Sequence, residues 1–162
     1  MHIFVDISAN PQSQVAVGCY LILENLNIDP TTIKPLIQSI NLTSTTSTMA
    51  ELELIDRILS VLVLQSTQIF LYTDCNNFYN LFLKRSYSLN HRHAELYDKL
   101  LTHINRLNLI VVKATGHSKK ELQVTPEQQI FAIVDKFARK LLRSLVKPEP
   151  SLVKPEPSLV KS

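Results

Sequence analysis

The chain has 162 residues, 45% of them hydrophobic, which matches one domain with a sizeable core. Its formal charge of +3 accommodates a nucleic-acid partner but excludes a densely basic, histone-like binder. Two isolated thiols, Cys19 and Cys75, exclude a disulfide framework and a thiolate zinc site, and point to a reducing, cytoplasmic setting.

The opening MHIFVDIS meets an aspartate at once and does not read as a signal peptide. His2–Ile7 and Gln14–Leu23 are rich in β-branched and aromatic residues and flank the turn signal Asn10-Pro11, so they predict a hairpin. Ile33–Leu42 predicts a third strand, Thr48–Leu64 a helix, Gln68–Asp74 a strand and Asn76–Lys84 a short helix. The longest apolar run, Ile58–Leu64, is broken by Ser60 and too short to span a bilayer, so no membrane partner is expected. His93–Leu107 predicts a further helix, Leu109–Ala114 a strand, and Pro126 to Leu145 the last helix. Its start carries Thr125 as N-cap, Pro126 at the first position and Gln128 at the third, a capping box. Three antiparallel strands followed by α-β-α-α-β-α predict an α/β fold, a mixed sheet flanked by helices, over residues 1–143. Residues 144–162 read SLVKPEP, SLVKPEP and SLVKS. Two prolines in each full repeat forbid a continuous helix, so a solvated, extended tail is expected, with Leu145 finishing the preceding helix. Gly18 and Gly116 are the only glycines, which excludes P-loop and dinucleotide-binding loops.

Acids fall where apolar residues belong. In the first long helix, Glu53, Asp56, Arg57 and Ser60 form a polar stripe, but Glu51 begins the stripe continued by Ile55, Ile58 and Leu62. In the last helix Asp135 shares a face with Phe131, Ala138 and Leu142, with Lys136, Arg139, Lys140 and Arg143 assigned to the other side. In the strands, Asp6 shares a face with Phe4, and Asp74 with Phe70 and Tyr72. Singly these acids have ordinary readings: Asp74 as a helix cap, Glu51 as a first-turn acid at the positive helix end. Together they point to bound cations, because buried acids are rare unless paired. Hard divalent ions such as magnesium take oxygen ligands, and two of them about 3.5–4 Å apart can activate water and stabilise a leaving oxygen.

These segments together resemble type 1 ribonuclease H: IFVDISAN, TTSTMAELELI, IFLYTDCNNF, VVKATGHSKK and VDKFARKLL, in that order over residues 3–142. The resemblance implies a ribonuclease H-like five-stranded sheet, three antiparallel strands and then two parallel ones. It implies metal ligation by Asp6, Glu51, Asp74 and Asp135, with two Mg²⁺ ions, or Mn²⁺, as cofactors. His117 would be the loop histidine that assists the attacking water or product departure. The expected activity is endonucleolytic hydrolysis of the RNA strand of an RNA–DNA hybrid by a monomer. Ser8, Asn10 and Asn76 are placed to touch the 2′-hydroxyl, and Lys84, Arg85 and Arg92 to contact phosphates. His91, His93 and His103 are expected to be solvated. Departures from the family pattern are Ile7 where glycine is usual, Cys75 where serine is common, no asparagine before Asp135, and a short KRSYSLNHR connection in place of a basic handle. Two rivals remain at this stage: a nuclease of the same fold acting on DNA junctions or ends, and a non-catalytic nucleic-acid-binding module.

Overall fold

A computed structural model describes residues 1–44 and 46–146. β1 (His2–Asn10) and β2 (Val15–Leu23) form the expected antiparallel hairpin. Its turn is closed by Asn10 Oδ1, which accepts the Ser13 N–H at 3.2 Å. β3 (Gln38–Asn41) pairs antiparallel with β2, while β4 (Phe70–Thr73) and β5 (Ile110–Lys113) extend the other side in parallel. The strand order is β3-β2-β1-β4-β5, the expected mixed sheet of three antiparallel and two parallel strands. Four helices flank it: α1 (Ser47–Ser60), α2 (Asn76–Lys84), α3 (Ala94–Arg106) and α4 (Pro126–Leu145).

Alternation along β1 separates two cores. Ile3 and Val5 pack with Leu71 and Val111 against α1, α2 and α3, whereas Phe4 packs with Cys19, Leu21 and Tyr72 against Ile130, Phe131 and Val134 of α4. Burying one such side chain contributes about 1.5–3 kcal/mol, so these layers fix how each helix sits on the sheet. Close approach of α1 needs Gly18: a Cβ there would meet Leu54 Cδ1 at 2.7 Å. The same glycine stands opposite Ile7 in the hairpin.

Two boundaries differ from expectation. The third strand begins only at Gln38; residues 30–32 and 34–36 form short 3-10 turns started by Asp29, Pro30 and Pro35. Proline lacks the N–H a strand ladder needs, yet Ile33 and Ile37 stay buried, which explains the strand-like apolar pattern. The first helix stops at Ser60 rather than Leu64, and Val61, Val63 and Leu64 lie exposed. Arg106 of α3 donates to the Leu59 and Leu62 carbonyls and so satisfies this helix end. His103 is not solvated: its Nε2 lies 3.1 Å from Asp56 Oδ1, between α3 and α1. The capping box at Thr125 and Gln128 is present. Of the expected tail, residues 144 and 145 finish α4, and 147–162 lie outside the described residues. Among the described residues no helix is long and apolar enough to cross a membrane.

Candidate metal centre

Parallel pairing of β1 with β4 sets Asp6 and Asp74 side by side. The register runs His2↔Phe70, Ile3↔Leu71 and Phe4↔Tyr72. Two residues further along each chain come Asp6 and Asp74, on the face that Phe4 and Tyr72 share. Glu51 reaches the same place from the second turn of α1. One carboxylate oxygen from each of Asp6, Glu51 and Asp74 lies within 4.8 Å of the others, so these three acids can hold a metal ion.

Burial makes this cluster costly without a cation. Asp6 is only 5% exposed, and its carboxyl is pushed up to about 10 by burial, then by the Asp74 charge and a hydrogen bond with Asp135. Glu51 is pushed up to about 7 by burial and by Asp74, opposed by the Cys75 thiol and Lys113. Asp74 Oδ1 is buried without a hydrogen-bond partner. Three carboxylates, with a buried and unpartnered oxygen on Asp74, fit a divalent cation.

The surrounding residues brace the cluster. Lys113 Nζ donates to the Asp74 backbone carbonyl, and the Cys75 N–H donates to Thr73 Oγ1 at 3.1 Å, which fixes the turn leaving β4. Cys75 therefore places a thiol against Glu51; burial and the Glu51 charge push that thiol up to about 12, leaving it a neutral donor. Asp135, 4% exposed, approaches from α4, but its oxygens are not part of the mutually close set. Its Oδ2 accepts the His117 N–H at 3.1 Å and lies 3.4 Å from Arg139 Nη2. Arg139 thus stands beside Asp135 and not on the opposite side of the helix, since residues four apart are neighbours. His117 has φ 53°, its side chain is 69% exposed, and its Nδ1 is 3.7 Å from Asp135 Oδ2.

Gly116 lies so close over Asp74 that a Cβ would collide with the carboxylate Oδ2. Gly116→Ala is accordingly expected to destabilise the protein by about 2 kcal/mol and to remove most of the thermal stabilisation by magnesium. Melting curves with and without the ion check this.

The expected substrate contacts are scattered. Ser8 is half-buried on the Asp6 face of β1, and Asn76 is exposed at the first residue of α2. Asn10 is committed to the hairpin turn. Arg85 donates to Phe82 O (2.8 Å) and Asn105 Oδ1 (2.6 Å), which ties it into the corner after α2. Lys84 and Arg92 are exposed, Arg92 with Nε 3.2 Å from His93 Nε2. His91 and His93 sit next to each other in the connection before α3, away from the acids in sequence and in contacts. Sequence reasoning did not assign Lys113, Gly116 or Arg139; only the four-residue spacing of Asp135 and Arg139 was visible in advance. No protein-family model matches this chain, and no curated protein matches it in sequence.

Proposed function

We propose that this protein is a metal-dependent endonuclease that hydrolyses the RNA strand of RNA–DNA hybrids. The observation that carries the reading is the convergence of Asp6, Glu51 and Asp74 at the β1–β4 junction, with Asp74 Oδ1 unpartnered. The order of motifs and the mixed sheet support the likeness to type 1 ribonuclease H on which hybrid specificity rests. Asp6, Glu51 and Asp74 would hold Mg²⁺ or Mn²⁺, with Asp135 beside Asp6 available to a second ion. A divalent cation bound there supplies charge neutralisation and Lewis-acid activation for phosphodiester hydrolysis.

The chain's own groups do the rest. His117 Nδ1 faces Asp135, which leaves Nε2 to take up or release a proton as water attacks phosphorus and a P–O ester bond breaks. Arg139 and the His117 N–H hold Asp135 in place. Ser8 and Asn76 flank the acids in sequence and are of the type that reads a 2′-hydroxyl, the group that separates RNA from DNA. Lys84 and Arg92 are the exposed cations for backbone phosphates.

Matched substrates test this. Equal concentrations of a labelled RNA–DNA hybrid, the corresponding DNA duplex and a branched DNA are incubated with protein and magnesium. Cleavage is expected in the RNA strand of the hybrid, at least about a hundredfold faster than in either DNA, a difference of about 2.7 kcal/mol. Faster cutting of branched or duplex DNA would transfer the activity to a DNA nuclease on the same fold.

A further inference from the structure

The four acids of the site stand in different electrostatic surroundings. Among the described residues Asp6, Glu51 and Asp74 form no ion pair, and Lys113 turns its ammonium to the Asp74 backbone carbonyl. Asp135, by contrast, has the Arg139 guanidinium 3.4 Å from its Oδ2. The His117 N–H donates to the same oxygen at 3.1 Å, and His117 Nδ1 lies 3.7 Å from it. These groups gather on Oδ2, and none of them engages Oδ1.

Arg139 is an incomplete partner for this carboxylate. A well-matched guanidinium–carboxylate pair is a fork of two parallel N–H···O bonds at about 2.7–2.9 Å. Here Nη2 makes one contact at 3.4 Å, and the buried Nε has no acceptor. The Arg139 side chain is 39% exposed, so it is not locked in place, whereas the Asp135 side chain is 6% exposed. The pair gains little energy from such a contact. Its unit positive charge still acts on a cation that approaches Asp135, because water screens a buried carboxylate poorly.

Resting on the metal-dependent reading of this site, we propose that Arg139 sets the affinity of the second cation. Asp6, Glu51 and Asp74 load first, and Asp135 joins in holding a second ion only against the guanidinium charge. Arg139 acts through Asp135 and is a positioning residue. An ordinary i,i+4 pair that merely steadies α4 and orients Asp135 predicts the opposite sign, since its loss would loosen the ligand and weaken the second ion.

The full chain is titrated with Mn²⁺ at one fixed pH, for the wild type, Arg139→Lys, Arg139→Gln and Arg139→Met. Free ion is counted from the electron paramagnetic resonance signal of aqueous Mn²⁺. Wild type and Arg139→Lys are expected to bind one ion tightly and a second clearly more weakly. The two neutral variants are expected to leave the first ion unchanged and to bind the second about fivefold more tightly, the upper end for a partly exposed charge pair. The second ion should give the exchange-coupled spectrum of two ions about 3.5–4 Å apart, which separates it from adventitious surface binding. The proposal is overturned if both neutral variants bind the second ion no more tightly than the wild type, or if Arg139→Lys matches them. It is equally overturned if the wild type fills both sites with one affinity, or if the second ion is uncoupled from the first. Each of these results leaves the first ion bound and the nuclease reading standing; a wild type that binds no Mn²⁺ overturns the metal centre as well.

Discussion

Asp74→Asn is expected to lower the rate of hybrid cleavage by at least about a thousandfold, about 4 kcal/mol of transition-state stabilisation. Asp74 raises the pKa of both Asp6 and Glu51, and its Oδ1 is the buried atom left without a protein partner. An amide keeps the volume but removes the charge and turns N–H donors toward any cation. The loss should therefore fall on kcat, whereas Lys84→Ala, at an exposed cation, should raise KM with kcat nearly unchanged. Without metal the same Asp74→Asn protein is expected to melt higher than the wild type, because one of the crowded like charges has gone. Steady-state kinetics on a labelled hybrid, with melting curves on the same samples, check both statements. Wild-type cleavage by the Asn variant would remove Asp74 from the site.

The second large effect is on stability. Without divalent ions the protein is expected to lose about 2 kcal/mol between about pH 5 and pH 8, a fall of several degrees in melting temperature. Glu51 and Asp6 titrate near 7 and near 10 in the folded chain, well above their ordinary values. Between the unfolded and folded pKa values the native state holds protons that the unfolded chain has released. Stability is therefore full below the unfolded pKa, near 4, and is lost as pH rises through the folded values. Magnesium should restore most of the loss at the alkaline end and do little at the acid end, where protons already neutralise the cluster. Asp6→Asn should flatten the pH dependence and abolish the magnesium effect. Thermal denaturation across pH, with and without the ion, measures this, and a stability that rises steadily from pH 5 to pH 8 in chelator would contradict it. A non-catalytic nucleic-acid binder would show no such carboxylate-dependent response to magnesium.

Much of this was legible in the residues because two periodicities carry it. Period-two alternation in His2–Ile7 and Gln68–Asp74 put Asp6 and Asp74 on particular faces, and the structure keeps them there. The parallel register that sets one beside the other depends on α1 crossing over between β1–β3 and β4, which no local pattern encodes. Glu51 stood out as the polar start of an apolar stripe, and Asp135 as an acid sharing a face with Phe131, Ala138 and Leu142; Asp135, Phe131 and Ala138 are buried, while Glu51 and Leu142 are half-buried. Arg139 was misplaced because a two-sided helix description ignores the i,i+4 neighbour at a stripe boundary. Ile33–Leu42 misled for another reason: buried Ile33 and Ile37 alternate like strand residues, but Pro35 forces a 3-10 turn between them. Gly116 could not be valued in advance, since its role is to let a loop close over a carboxylate distant in sequence.

In the proposed reaction the acidic cluster cuts a phosphodiester with the help of a bound cation. This is tested most directly by incubating a hybrid labelled on its RNA strand with the wild-type protein, in magnesium and in excess chelator, beside Asp6→Asn in magnesium. RNA fragments are expected only with wild type plus magnesium; no fragments in that lane, or equal fragments in chelator or with Asp6→Asn, would contradict metal-dependent cleavage by the acidic cluster.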